Sequence, residues 1–177
     1  MAAPDIAVAL QRVEAVLKRR PATGLHDDSS ATSRWEGGTR VISSHANGKQ
    51  FATDMPREVG GRGNEVTPGW LLRAGVASCT ATCIAMAAAT EGIELTSLEV
   101  QADSRSDMRG MLGMTDTDGG PVCAGPQNMR IEVRICARGI AAERLQALVE
   151  RSYCRSPMVC AVRDAVPLEL RIEIAAA

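Results

Sequence analysis

Residues 67–91, TPGWLLRAGVASCTATCIAMAAATE, form a long and almost wholly apolar run that predicts one helix. Thr67 is a good N-cap, the proline after it suits the first helical position, and Gly92 can adopt the left-handed conformation that ends a helix. The uncharged part, 74–89, has 16 residues, fewer than the roughly 20 that cross a bilayer. We therefore expect a core helix with Cys79 near its middle.

Alternating apolar and polar residues on both sides of this helix predict short β-strands. Upstream, residues 33–54 are divided by turns at Gly37-Gly38 and Asn47-Gly48, and the second turn is a strong hairpin signal. Downstream, three segments alternate as half-buried antiparallel strands do: 98–102, 131–135 and 168–174.

Two further helices and two loops complete the pattern. Residues 141–153 carry apolar side chains on one helical face, and 156–164 favour a short additional turn of helix. Glycine-rich segments 55–66 and 111–125 predict loops, and the second is long enough to suggest a functional role such as a lid. The order of elements predicts an α+β fold, with a curved antiparallel sheet packed on a long central helix.

The N-terminal segment predicts a surface helix outside the main domain. Its apolar stripe suits packing on the body of the protein or on a partner subunit: Ile6, Leu10, Val13 and Leu17. Acidic residues interrupt the segment and its basic residues follow the apolar ones, the reverse of a signal peptide. We therefore divide the chain into a helix and linker, 1–32, and one domain, 33–177.

Composition argues against two classes of partner. The 177-residue chain has a formal net charge of −1 and only 2% aromatic residues, so neither nucleic acid nor a membrane is expected. Six cysteines without a signal peptide indicate a reducing compartment, where thiols are more often catalytic or inert than disulfide-bonded. We expect a cytoplasmic protein.

Cys79 and Cys83 lie four residues apart on one helical face, a spacing that suggests either a pair of metal ligands or a disulfide. A regular helix holds such Cβ atoms about 5 to 6 Å apart, beyond the roughly 3.5 to 4.5 Å of a disulfide. Only two histidines and no CxxC motif occur, so a zinc site is not expected. Cys83, Cys123 and Cys136 suit the role of small hydrophobes. Acyl transfer by Cys79 with His45 is a weaker alternative to a redox thiol.

A redox thiol at Cys79 needs a nearby cation, because the residue lies too far inside the helix for the N-terminal dipole to stabilise a thiolate. The candidates near the strand ends and the helix entry are Arg40, Arg57 and Arg73. An arginine suits an apolar pocket because it stays charged there, and its planar fork can hold a thiolate and a peroxide oxygen together.

Several short motifs occur in a distinctive order and spacing: WEGG at 35–38, LL at 71–72 between Pro68 and Cys79, EG at 91–92, SPM at 156–158 and VPLEL at 166–170. Together they resemble the OsmC/Ohr family of osmotically inducible and organic hydroperoxide resistance proteins. The resemblance extends over about residues 33–174.

This resemblance implies an α+β fold in an intertwined homodimer, with active sites at the subunit interface. It implies reduction of organic hydroperoxides by a peroxidatic and a resolving cysteine, without a metal, haem or flavin cofactor. By position, the peroxidatic cysteine is Cys79, and an arginine of the early strand region corresponds to Arg40. The sulfenic acid formed at Cys79 would condense with the second thiol, and a cellular thiol reductant would reopen the disulfide.

Two positions depart from the family pattern. The glutamate that orients the arginine in the family is Gly69 here, and the resolving cysteine of its CPV motif is Ser156. Cys154 and Cys160 flank Ser156 and are the candidates to replace the resolving thiol. A one-cysteine mechanism with an external thiol is the alternative.

Three functions therefore stay open. The first is a thiol peroxidase that acts at Cys79 with Arg40 as its electrostatic partner. The second is a catalytically silent relative that binds a small apolar or acidic molecule at the dimer-interface pocket. The third is an interaction protein that uses its N-terminal helix as a docking surface.

Overall fold

A computed structural model describes residues 3–175. The first two residues of the predicted N-terminal segment and the last two of the predicted domain lie outside this range. The helices are α1 (Ala3–Arg19), α2 (Pro68–Thr90), α3 (Met108–Met111), α4 (Ala142–Cys154) and α5 (Pro157–Asp164), with 3-10 turns at Pro21–Gly24 and Arg57–Val59. The strands are β1 (Thr32–Gly37), β2 (Arg40–Ser44), β3 (Gln50–Thr53), β4 (Leu95–Arg105) and β5 (Gln127–Ala137).

The strands form two separate antiparallel sheets, where the sequence predicted one curved sheet. The first has the order β1-β2-β3, and the second is the pair β4-β5, in which Val100 faces Val133. The predicted turns at Gly37-Gly38 and Asn47-Gly48 are present between β1, β2 and β3. The helices and strands together confirm the α+β class.

The predicted strand at 168–174 is wrong for the single chain, because this segment pairs with no other strand among the described residues. Its alternating apolar side chains are almost fully exposed: Leu168 97%, Leu170 83%, Ile172 76% and Ile174 90%. The alternation is present, but a strand also needs a neighbour for its backbone hydrogen bonds, and no strand pairs with this segment among residues 3–175.

The start and end of α2 follow the expected capping chemistry. The Thr67 hydroxyl accepts a hydrogen bond from the Trp70 amide at 3.2 Å, and Pro68 occupies the first helical position. Gly92 has a φ of 65°, and its amide and that of Ile93 bond back to the last turn. These caps satisfy backbone groups that have no partner within the helix.

One side of α2 forms the core with the second sheet and α4. Ile84 and Leu148 are fully buried there. They pack in one cluster with Ala88, Ile93, Ala137 and Leu145, and the inner faces of β4 and β5 complete it. The helix therefore connects the elements that follow it in the chain.

The remaining sides of α2 are only partly covered. Five of its 23 residues are buried, and Trp70, Leu72 and Met86 stay exposed. By length and composition α2 could cross a membrane, a test that core helices of soluble proteins also pass. The count that predicted it to be too short omitted the apolar residues before Arg73. Contacts with α1, α4, α5 and β4 cover part of the helix.

Asp54 organises the loop between the first sheet and α2. This buried carboxylate accepts hydrogen bonds from the Thr39 hydroxyl at 2.5 Å and from the amides of Met55 and Arg62 at 2.8 and 2.9 Å. The Thr39 bond is the main reason that the pKa of Asp54 lies below its ordinary value, and the Arg62 amide adds to it. The carboxylate thereby connects Thr39, the start of the predicted glycine-rich loop and Arg62 within that loop.

We predict that Asp54 makes the fold sensitive to acid. Because its folded pKa is lowered, its stabilising effect is present above the unfolded pKa of about 3.9 and is lost as the pH falls through the folded pKa. The Asp54→Asn variant should have a lower Tm at pH 6 and should lose less further stability between pH 6 and pH 3 than the wild type. The exposed Asp118→Asn control should follow the wild type. Parallel Tm curves for Asp54→Asn and wild type would contradict this role.

Candidate functional site

Cys79 lies half-buried on α2, opposite the turn between α4 and α5. The Ser156 hydroxyl donates a hydrogen bond to Cys79 Sγ over 3.3 Å. These residues are 77 positions apart in the sequence, so the fold alone brings them together. The serine at the family's resolving position is thus the direct neighbour of the predicted peroxidatic thiol.

Local structure explains why Ser156 points at α2. Helix α4 ends at Cys154, and Pro157 begins α5, so Ser156 stands at the N-terminal boundary of the second helix. Its amide bonds to Tyr153 O at 3.2 Å, and its carbonyl accepts the Cys160 amide at 2.9 Å. With its backbone held on both sides and its side chain 0% exposed, the hydroxyl has a fixed position.

Cys83 belongs to the same cluster, one helical turn after Cys79. Burial is the first cause that raises the pKa of the Cys83 thiol, and the charge of Cys79 is the second. A hydrogen bond from Ser156 acts in the opposite direction. Ser156 therefore interacts with both thiols, and Cys83 is held in its neutral form to a higher pH than an ordinary cysteine.

Cys160 and Cys154 lie on the other side of Ser156. The Cys160 thiol is 3.5 Å from the carbonyl oxygen of Cys154, and Arg163 Nη2 is 3.9 Å from Cys160 Sγ. Cys154 is exposed, whereas Cys160 is half-buried. Neither of them takes the place beside Cys79 that Ser156 occupies.

Arg40 is not a hydrogen-bond partner of Cys79 within residues 3–175. Its guanidinium donates to Glu65 at 2.8 Å and to Glu36 at 3.1 Å. The bond to Glu65 is the main reason that the pKa of Arg40 is raised, followed by the bond to Glu36. Glu65 and Glu36 thus hold the Arg40 guanidinium within this chain.

The other two arginine candidates also have partners elsewhere. Arg57 Nε donates to the carbonyl of Arg62 within its own loop, and Arg73 Nη1 donates to Ser104 Oγ on β4 at 3.3 Å. A Cβ atom at Gly69 would lie 3.7 Å from Arg73 Nη1. Position 69 therefore lies next to Arg73 in this chain.

A groove of about 660 Å³ opens between α1, α2 and α4, with Cys83 in its wall. Lys18 and Arg151 at its rim are paired with Glu14 and Glu91. Arg155 also lines it, and no ion pair holds this side chain within the described range. The apolar lining comes from the predicted stripe of α1 and from α2: Leu10, Val13, Leu17, Met86 and Ala87.

Two contacts of this region do not follow from the sequence. The motifs mark Ser156 as a departure from the family pattern but do not predict its contact with Cys79. Glu65 carried no signal, because its pairing with Arg40 depends on how the loop after β3 folds back. Among residues 3–175, no cluster of histidine, cysteine or carboxylate side chains is arranged to hold a metal ion.

The sequence profile of one family, described as OsmC-like protein, matches residues 61–171. The chain belongs to the OsmC-like protein family. The resemblance found in the motifs is thereby confirmed, and the match includes α2, Cys79 and Ser156. A comparison with curated protein sequences finds no match.

Solved structures share the fold of this OsmC-like protein at low sequence identity. An OsmC-like protein from Mycoplasma pneumoniae is 13% identical, with a TM-score of 0.64 over 80% of this chain and 91% of the other. An organic hydroperoxide resistance protein from Elizabethkingia anophelis is 20% identical, with a TM-score of 0.57 over 80% and 91%. One from Legionella pneumophila is 22% identical, with a TM-score of 0.54 over 78% and 91%.

We predict that Cys83 responds to the charge of Cys79. Replacing Cys79 by serine removes a negative neighbour that raises the pKa of Cys83, so Cys83 should be alkylated faster by iodoacetamide between pH 8 and pH 9.5. Fragment masses of the peptide that contains both positions measure the rate. The exposed Cys136→Ser control should leave the rate unchanged. A slower reaction of Cys83 in the Cys79→Ser variant would refute the coupling.

Proposed function

We propose that this OsmC-like protein is a cytoplasmic, thiol-dependent peroxidase that reduces organic hydroperoxides at Cys79. The observation that carries the proposal is the 3.3 Å hydrogen bond from the buried Ser156 hydroxyl to the half-buried Cys79 sulfur. A donor fixed against a thiol is suited to hold a thiolate, or the sulfenate formed from it, with little reorganisation. The helix around it is apolar, so few other groups compete for that donor.

The reaction follows from thiol chemistry. The Cys79 thiolate attacks the outer oxygen of the hydroperoxide, the O–O bond breaks, and the alkoxide leaves with a proton as the alcohol. Cys79 becomes a sulfenic acid, and two electrons pass from sulfur to the peroxide. A thiol then attacks this sulfur, water leaves, and a second thiol reduces the resulting disulfide.

The choice of substrate class draws support from related folds. The neighbours from Elizabethkingia anophelis and Legionella pneumophila are named for resistance to organic hydroperoxides. These names describe those proteins, and sequence identity this low shows only a shared fold. The substrate proposed for this chain therefore rests on the thiol site, with the family as support.

We propose a homodimer because the single chain leaves many large apolar side chains exposed to solvent. A helix that is apolar on all sides is usually buried on all sides, yet α2 keeps Leu72 and Met86 exposed. The first sheet exposes Trp35 at 70% and Phe51 at 62%. The alternating tail 166–174 completes this surface, and a second copy supplies a matching surface by symmetry.

A dimer would also allow Arg40 of one chain to lie near a thiol of the other. In one chain the guanidinium stays with Glu36 and Glu65, so we propose that Arg40 faces Cys79 of a second copy. Its side chain is about one quarter exposed, at 28%, and is therefore available to a partner. Glu65 would keep the planar fork oriented for the thiolate and the peroxide oxygen.

The alternative is a catalytically silent protein that binds a small apolar or acidic molecule. The groove between α1, α2 and α4 favours it, because apolar walls and Arg155, which has no ion pair among residues 3–175, suit an apolar acid. The proposed binding at a dimer interface would require this groove, or another pocket, to meet the second copy. Absence of peroxide reactivity at Cys79, in folded protein, would favour this alternative.

We predict that the C-terminal tail holds the dimer. Size-exclusion chromatography with light scattering should give twice the 18.7 kDa chain mass for the wild type. The Ile172→Glu variant should shift to the monomer, because a carboxylate would enter an apolar interface. Arg171→Gln, on the opposite face of the alternation, should stay dimeric. A monomeric wild type would exclude the dimer.

We predict that peroxide turnover depends on Cys79 and Arg40. With dithiothreitol as reductant, Cys79→Ser should abolish consumption of cumene hydroperoxide. Arg40→Met should lower kcat/KM by roughly 100-fold, the typical effect of removing one charge-stabilising donor.

The matched control is Arg34→Met, an exposed arginine on β1 of the same sheet, which should retain wild-type turnover. Circular dichroism and the oligomeric state should be the same in all variants. Full activity of Cys79→Ser would exclude the peroxidase proposal, and full activity of Arg40→Met would exclude only the role of the arginine.

A further inference from the structure

Four of the six cysteines lie around the contact between α2 and the α4–α5 turn. Cys79 and Cys83 come from α2, Cys154 is the last residue of α4, and Cys160 lies in α5. Cys79 is half-buried, whereas Cys154 is exposed. The cluster therefore extends from the proposed reacting sulfur to the protein surface.

Hydrogen bonds connect the members of this cluster in a definite order. Ser156 Oγ touches Cys79 Sγ, and the Ser156 carbonyl accepts the Cys160 amide at 2.9 Å, one turn further along α5. The Cys160 thiol lies 3.5 Å from the Cys154 carbonyl oxygen. Cys160 also interacts electrostatically with Cys83 on α2, so its thiol lies near both α2 and the exposed Cys154.

Arg163 supplies a cation beside this second pair of thiols. Its Nη2 is 3.9 Å from Cys160 Sγ, while Nε and Nη2 also bind the Asp164 carboxylate at 2.8 Å. The pKa of Arg163 is raised mainly by Asp164, with smaller contributions from Cys160 and Cys154. Both thiols therefore interact with one guanidinium.

We propose that Cys160 and Cys154 form a thiol relay that carries the oxidation of Cys79 to the protein surface. This inference rests on the peroxidase function proposed above and names the two residues that follow Cys79 in the reaction. The exposed Cys154–Cys160 disulfide is then the form that an external dithiol reduces.

Each step balances. The Cys160 thiol attacks the sulfenic sulfur of Cys79, so that a Cys79–Cys160 disulfide forms and water leaves. The Cys154 thiolate then attacks Cys160 Sγ, which forms the Cys154–Cys160 disulfide and releases Cys79 as a thiolate. An external dithiol reduces this disulfide, and its own two thiols become a disulfide.

The first step requires α5 to move toward Cys79, because Ser156 and not Cys160 contacts the Cys79 sulfur. The structure of α5 suits such a movement, because it has only eight residues and Val159 is its one buried side chain among those residues. Residue Ala165 at its end has a φ of 46°, an unfavourable value for alanine. A short helix with little buried surface opens at low free-energy cost.

Cys83 is closer to Cys79 in the sequence than Cys160 is, but it is less suited to form a disulfide with Cys79. The two residues are four apart in a regular helix, so their Cβ atoms are about 5 to 6 Å apart, and a disulfide would distort α2. Burial also keeps Cys83 neutral, and a neutral thiol is a weak nucleophile. The relay therefore bypasses it.

Tryptic peptides separate the possible products. Cys79 and Cys83 share the peptide 74–105, whereas cleavage after Arg155 places Cys154 in 152–155 and Cys160 in 156–163. Reduced protein is treated with one equivalent of cumene hydroperoxide, free thiols are blocked with N-ethylmaleimide, and the unreduced digest is analysed by mass spectrometry. Dimedone in a parallel sample traps sulfenic acid.

The relay predicts a linked pair of peptides 152–155 and 156–163 in the wild type. The Cys154→Ser variant should lose that product and accumulate 74–105 linked to 156–163. The Cys160→Ser variant should stop at the dimedone adduct of Cys79. Cys123→Ser is the matched control and should give the wild-type products.

Other outcomes would overturn the relay. A dimedone adduct at Cys79 with both Cys154 and Cys160 blocked as free thiols would exclude it while the peroxidase function stands. A disulfide within 74–105 would also exclude the relay but not the peroxidase function, and it would assign the resolving role to Cys83. A Cys154–Cys160 disulfide that still forms in Cys79→Ser would show direct oxidation. A wild type that shows neither oxidised Cys79 nor a Cys154–Cys160 disulfide after peroxide treatment would end both proposals.

Discussion

The structure depends on how α2 is covered, because this long helix is mostly apolar and contacts α1, α4, α5 and β4. The second sheet and α4 bury one stripe around Ile84. The α4–α5 turn meets the same helix one turn earlier, where Ser156 touches Cys79. The position of the thiol is therefore a consequence of core packing, and the exposed remainder of α2 is the surface on which we expect a second copy.

This packing gives the candidate site its chemical character. A polar donor fixed in a largely apolar setting provides directional stabilisation for a sulfur anion, whereas the neighbouring Cys83 is kept neutral by burial. Arg40 lies on the first sheet, held by Glu65, and we propose that a second chain brings it to the thiol. Catalysis and dimer formation are thus linked in this account.

Sequence patterns predicted most elements because caps and alternation are local. Thr67, Pro68 and Gly92 define the ends of α2 wherever the rest of the chain lies. The segment 168–174 shows the limit, because alternation predicts a strand but cannot provide its neighbour. The site shows another limit: motif spacing identified Cys79, but its contact with Ser156 and the pairing of Arg40 with Glu65 join distant parts of the chain.

The most direct test of the account is the single-turnover rate constant of reduced protein with cumene hydroperoxide, measured by stopped flow as loss of the Cys79 thiol. Free cysteine at the same pH is the reference. We predict a rate constant for Cys79 at least roughly 100-fold above that reference, because preorganised donors are worth factors of this size. A rate equal to that of free cysteine would contradict the central claim that this site activates the Cys79 thiol.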